Sequence, residues 1–387
     1  MSGNRADILP DSLRDACLLR QERLRRLLRE AGIDALLVST EKDIRYLTGF
    51  IGHDSLFLIH ADGGAIISDA RYDEFLNPWR DAGTEALGKV VMGTRHRLEE
   101  SVRTLCEAAR FKRVGVQAEH MTLLRKARLS AAISSVTLVE TSGLVARLRM
   151  KKDAMEIDAI RRAIGIQQDA LAAVLDELEL GMSETQFCAA LEFEMKSRGA
   201  SGPSFDAIIG AGANSSVPHH LTGQTTIREG VLLVDWGAAV DGYHSDLTRT
   251  FGVGSMPARI REIYAIVLEA QLAAIDAIVP GKVCAEIDAV ARKIITDAGY
   301  GEQFGHGLGH GLGMDTHEPP FFNSLQTDVV LEPGMVMTVE PGIYLPGVGG
   351  VRIEDDVLVT EGGAEVLSDW PKDIERAMLP IAQGVRR

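Results

Sequence analysis

The sequence predicts two domains of different class, an α/β domain over residues 1–148 and an α+β domain over residues 149–387. Three observations predict them. At 387 residues the chain is longer than one hydrophobic core ordinarily serves, so two domains are the natural division. Short apolar runs alternate with helical periodicity to about residue 140, the pattern of an α/β domain. Beyond the basic stretch RLRMKKD at 147–153 the order becomes helix, helix, hairpin, and it occurs twice.

Each element has a local reason. Residues 1–16 are polar and are expected to form an extension. A helix follows, with Leu24, Leu27, Leu28 and Ala31 on one face and Gly32 as its stop. Its arginines (Arg20, Arg23, Arg25, Arg26 and Arg29) are expected on a solvated face rather than against an acidic partner. Residues 34–39, 55–60, 64–69 and 113–117 are apolar runs bounded by turn residues, hence strands, and 97–111 is helical. In the second domain Asp153 with Glu156, and Ser183 with Gln186, are capping boxes that open two helices, the second stopping at Gly199. Strands and a hairpin run to about 252. Helices over 257–278 and 285–298 then repeat the order, with a second hairpin ending near 360.

Bulk properties remove several classes. The composition, 45% hydrophobic and 25% charged, is that of a folded chain rather than a disordered one. A net charge of -14 argues against a nucleic-acid partner, which needs a clustered positive field. The four cysteines (Cys17, Cys106, Cys188 and Cys284) form no close pair, so thiolate zinc is not expected and a reducing compartment is. No apolar leader and no apolar run of membrane-spanning length occurs, so the expected location is the cytoplasm, away from membranes.

The chemistry gathers in the second domain. In the first hairpin, VLLVDWGAAVDGYHSDLTRTF (231–251), Asp235 follows a run of apolar residues where a buried strand ought to hold another. Asp246 lies on the return strand, and Asp241-Gly242 is a strong turn signal. A turn over residues 239–242 would put the two aspartates directly opposite, on one face. The second hairpin, MVMTVEPGIYLPGVGGVRIEDDVLVT (335–360), repeats this with Glu340 and Glu354 about a midpoint at Gly347. A lone Asp in a strand is ordinarily an edge or turn residue. Two facing pairs are different, because facing carboxylates repel unless a proton or a metal lies between them.

Between the hairpins lies FGHGLGHGLGMDTHEPP (304–320), presenting His306, His310 and His317. Alternate glycines make a helix improbable there, and Gly307 stands where the H-E-x-x-H zinc motif needs Glu. The glycines point instead to backbone passing close to a site. Four carboxylates and one imidazole match two divalent ions in charge, and oxygen-rich donors favour Mn²⁺, Co²⁺, Fe²⁺ or Zn²⁺. Such a pair brings a bridging water towards a neutral pKa, so metal-assisted hydrolysis of a carbonyl is the expected class.

At these residues the sequence resembles the creatinase, prolidase and aminopeptidase P family. The spaced Asp235 and Asp246, then His310, Glu340 in VEPGIY and Glu354 in RIEDD occur in the family's order. A looser likeness covers about residues 18–370, including YLTGF (46–50) and DARY (69–72) of a creatinase-like N-terminal domain. The resemblance implies a pita-bread α+β catalytic domain behind an α/β creatinase-like one. It implies Asp235 as ligand to one metal, Asp246 and Glu354 as bridging ligands, and His310 and Glu340 as ligands to the second, with Glu340 also the general base. His219 resembles the histidine near the scissile amide, although His220 beside it competes for the assignment. His317 resembles the histidine that stabilises the oxyanion, while His306 and Arg352 resemble a substrate-pocket residue and a support for the ligands. The activity implied is hydrolysis of an Xaa-Pro bond in a peptide or dipeptide, with proline at P1′ and most simply with two Mn²⁺ ions. Both aminopeptidase and dipeptidase fit, and a homodimer is expected. Other readings stay open: metal-free creatinase, which lacks the full ligand set, a dimethylsulfoniopropionate lyase, which keeps it, and a peptide-binding pseudoenzyme. Methionine aminopeptidase shares the metal site but lacks an N-terminal domain of this size.

Overall fold

The computed structural model describes residues 10–80 and 87–381. The chain divides into two compact units, Met1–Leu148 and Arg149–Arg387. The first is built on a mixed six-stranded sheet. Its strands run, across the sheet, Lys89–Met92, Gly63–Ser68, Leu56–His60, Ala35–Val38, Arg113–Gln117 and Thr137–Thr141. Ala35, Leu37, Leu56, Leu58, Val114 and Val116 supply one face of its core, against Val102 and Cys106 of the helix Leu98–Ala109.

The first helix differs from the sequence reading. It begins at Asp11, not beyond residue 16, and its buried face is Cys17, Arg20, Gln21, Leu24 and Leu28. Leu27 is only half-buried and Ala31 exposed. Arg20 is therefore not solvated. Its guanidinium lies 4.3 Å from the Tyr46 ring centroid and donates to Tyr46 O at 3.0 Å, which a helical period of 3.6 starting from Cys17 would have required.

The second unit holds the repeat. Helices Ala154–Asp176 and Glu184–Ser197 precede one hairpin, and Ala258–Asp276 and Cys284–Asp297 precede the other. Both capping boxes form. Each half has its own core, one drawn from residues 163–253 and one mainly from 256–359.

The hairpins carry the difference that matters most. In the first, Gly230–Trp236 pairs with Leu247–Val253, Asp235 facing Thr248 and Trp236 facing Leu247. Val240 faces Tyr243, so the turn has two residues, Asp241 at φ 52° and Gly242 at φ 77°, not four. Asp235 and Asp246 are thus diagonal neighbours rather than directly opposite. A two-residue turn with positive φ at both positions follows the twist of its strands, which is why Asp-Gly selects it. The slip is two residues, so both aspartates keep the same face.

The second hairpin keeps one register throughout. Val336 faces Leu358, Val339 faces Asp355, Gly342 faces Arg352 and Leu345 faces Gly349. Glu340 and Glu354 stand opposite each other where this ladder pauses. The hairpins meet there: Glu354 N donates to Thr248 O at 3.1 Å, and Thr250 Oγ1 donates to Arg352 O at 3.0 Å.

Candidate metal centre

One cavity of about 460 Å³ collects the residues singled out from the sequence. Asp235, Asp246, His310, Glu340 and Glu354 line it, as do His219, His306, His317 and Arg352. His310 sits mid-way along the short strand Gly309–Gly311, between Val336–Val339 and Glu318–Phe322. The glycines flanking it are sterically required. A Cβ on Gly309 would come within 2.0 Å of Thr338 O, and one on Gly311 within 2.5 Å of Glu318 O.

Acceptor atoms from several elements converge here. One ligand atom from each of Asp246, His310 and Glu354 lies within 4.8 Å of the others, and all three residues are buried. His310 Nε2 is 3.3 Å from Glu340 Oε1 and 3.7 Å from Asp246 Oδ2. Its Nδ1 lies 3.2 Å from Gly311 O, so Nε2 is the ring nitrogen that faces these carboxylates. Asp235 Oδ1 is buried and has no hydrogen-bond partner among the described residues.

The protonation pattern follows. Burial and the charges of Glu354 and Asp235 hold Asp246 well above the ordinary carboxylate range, and burial with Glu340 and Asp235 does the same to Glu354. Asp235 is raised by burial against the nearby Arg352 guanidinium. Burial would also raise Glu340, but the adjoining His310 ring outweighs it and brings it down to about 2. A cluster that must otherwise keep protons is the environment that divalent cations relieve. The donor set, carboxylate oxygens with one imidazole, fits such cations.

A second layer orients these groups. Arg352 Nη2 donates to Asp235 Oδ2 at 2.5 Å, its Nε to Thr248 Oγ1 at 2.9 Å and its Nη1 to Tyr344 OH at 2.8 Å. Thr248 Oγ1 in turn donates to Glu354 Oε2 at 2.6 Å. The Tyr344 hydroxyl lies 2.9 Å from His306 Nε2, and His306 Nδ1 lies 2.8 Å from Gly307 O. Burial lowers the His306 pKa, so the ring is neutral, donating to Gly307 O and accepting from Tyr344. Asp246 N donates to Asp356 Oδ2 at 3.1 Å.

His219 lines the cavity, whereas His220 pairs with Glu184 at 2.9 Å. His317 lies beside His310, ring centroids 4.2 Å apart, and burial followed by the His310 charge lowers its pKa. The sequence reasoning passed over Thr248, Tyr344, Asp356 and the apolar wall of Phe205, Ile208 and Phe321. Period-two alternation could have found two of them, since Thr248 follows Asp246 by two and Tyr344 follows Glu340 by four.

Comparison with known proteins completes the description. Residues 158–361 match metallopeptidase family M24, and residues 20–151 match the creatinase/prolidase N-terminal domain. The Xaa-Pro dipeptidase of Pyrococcus furiosus is 44% identical over 228 residues, 59% of this chain and 65% of that protein. An Xaa-Pro dipeptidase structure from Bacillus anthracis superposes with TM-score 0.88 at 38% identity, covering 94% of this chain and 100% of that one. An X-Pro aminopeptidase structure from Thermotoga maritima gives TM-score 0.84 at 32% identity, with coverage of 94% and 100%.

Proposed function

Since the chain belongs to metallopeptidase family M24, a pita-bread α+β domain behind a creatinase-like α/β domain, we propose that it hydrolyses Xaa-Pro bonds with two divalent ions, Mn²⁺ in the first instance. The observation that carries this reading is the buried set of acceptors from Asp246, His310 and Glu354 within 4.8 Å, joined in one cavity by Asp235 and Glu340. When bound there, the ions supply an acidified water and a polarised carbonyl.

The chain's own residues do the rest. Asp235 would hold one ion, His310 and Glu340 the other, and Asp246 and Glu354 would be shared between them. Glu340 takes the proton of the attacking water as the new C–O bond forms. His317 donates a hydrogen bond to the oxygen that gains negative charge. As the C–N bond breaks, the proton returns to the prolyl nitrogen beside His219. Phe205, Ile208, Pro218 and Phe321 offer an apolar wall suited to a saturated ring, and His306 borders it. The enzyme on this reading is a cytoplasmic homodimer. Its four free cysteines accord with a reducing compartment.

Hydrolysis of Ala-Pro and of Ala-Pro-Ala by chelated protein, with and without added Mn²⁺, tests the proposal. Metal-dependent cleavage is the expected result, and the ratio of the two rates assigns dipeptidase or aminopeptidase. Absence of cleavage by protein with metal bound overturns it.

A further inference from the structure

His219 makes no hydrogen bond of its own among the described residues and is exposed at the edge of the cavity. Its ring is therefore placed by the backbone that carries it. One side chain ties that backbone down. Glu184 opens the helix Glu184–Ser197, and its side chain is 0% exposed. Its Oε1 accepts from Ala211 N at 2.9 Å and Asn214 Nδ2 at 2.8 Å. Its Oε2 accepts from Gly223 N at 3.0 Å and lies 2.9 Å from His220 Nε2. All of these partners belong to residues 211–223, the segment that delivers His219. Burial alone would raise the Glu184 pKa, but these bonds hold it below the ordinary value. From the other direction, Arg352 Nη1 donates to Pro218 O at 3.4 Å and Gly350 N donates to Ser215 Oγ at 2.9 Å. Glu184 itself does not line the cavity.

We propose that Glu184, acting through its bond to His220 and its hold on residues 211–223, is a positioning residue for His219. The inference rests on the peptidase reading for the role of His219, though not for the geometry. An isosteric Glu184→Gln keeps one acceptor oxygen but turns an NH₂ group towards a backbone N–H, so residues 211–223 must shift. Misplacing a group beside the reacting bond by about 1 Å costs as much as a hundredfold in rate.

The test measures kcat and KM on Ala-Pro, with metal content, for Mn²⁺-loaded wild type, E184Q, H220A, H220Q, H219A and E184Q/H219A. E184Q and H220A are expected to lower kcat/KM about ten- to a hundredfold at unchanged metal content. H220Q, which still donates to Glu184, should recover most of the loss. In the H219A background E184Q should cost nothing further, because two residues acting through one group are not additive. Equal losses from E184Q in both backgrounds, or H220Q no better than H220A, overturn the proposal. A second readout is independent of turnover: the ring ¹⁵N resonances of histidine-labelled protein, with His219 assigned by its loss in H219A. A His219 signal displaced in E184Q and H220A, with His60 unmoved, supports positioning even if wild type fails to cleave Ala-Pro. That failure would count against the reaction alone. An undisplaced His219 signal overturns the inference, and H220A carries both readouts if E184Q does not fold.

Discussion

Asp246 and Glu354 are buried beside other carboxylates, with pKa values raised by burial and mutual repulsion. Replacing either by alanine should therefore remove ligand atoms shared by both ions. Asp246→Ala and Glu354→Ala are expected to lose bound metal and hydrolysis together, checked by metal analysis after dialysis. Two ions retained per chain in either variant would refute their bridging role. His317→Ala should behave differently, keeping its metal while kcat falls about a hundredfold, the typical loss of one oxyanion donor. Metal loss in that variant would mean that the ligand histidine is misassigned. The carboxylates were legible because a charge inside an apolar run violates the strand pattern. What separates His219 from His220 was not legible, since only the fold brings Glu184 to the second of these adjacent imidazoles. Tyr344 was overlooked for a related reason. An aromatic residue in a strand is ordinary, and only its place between Arg352 and His306 makes it more.

At the scale of elements, the strand Gly309–Gly311 has no room for a side chain at either glycine. A methyl group on Gly309 would occupy the space of Thr338 O. Gly309→Ala is expected to destabilise the protein by about 1–3 kcal/mol through overpacking, measured as a shift in urea midpoint. It should also weaken metal binding, since His310 is the next residue. An unchanged midpoint would show that the neighbouring strands yield freely. Capping boxes and glycine stops were legible because they are local. The register of the first hairpin was not, because counting from a midpoint presupposes the length of the turn. The start of the first helix was hidden by its polar opening turn, and its inward-facing Arg20 reads as surface until Tyr46 is set beside it.

For the molecule as a whole, the buried acids couple stability to pH. In metal-free protein Asp246, Glu354 and Asp356 keep their protons well above the ordinary carboxylate range, while the unfolded chain releases them near pH 4. The folded state then holds more protons, so this contribution is whole below about pH 4 and is lost as pH rises through the folded values. His306 and His317, with lowered pKa values, act in the opposite sense, but only up to about pH 6.5. Chelated protein should therefore lose stability as pH rises above the ordinary carboxylate range, and Mn²⁺ should stabilise it more at pH 8 than at pH 5.5. At a hundred times Kd the gain is about 2.7 kcal/mol. Urea titrations with and without Mn²⁺ check both, and a metal effect that does not vary with pH would exclude the linkage.

The division of the ligands between two hairpins also bears on how the protein is made. Asp235 and Asp246 leave the ribosome with the first half, while His310, Glu340 and Glu354 follow with the second. Glu354 is further seated by Arg249, which bonds its carbonyl and the Trp370 carbonyl of a segment made later still. A chain synthesised only through the first hairpin thus carries two of the five donors, and the capacity to cut peptides waits for the second hairpin.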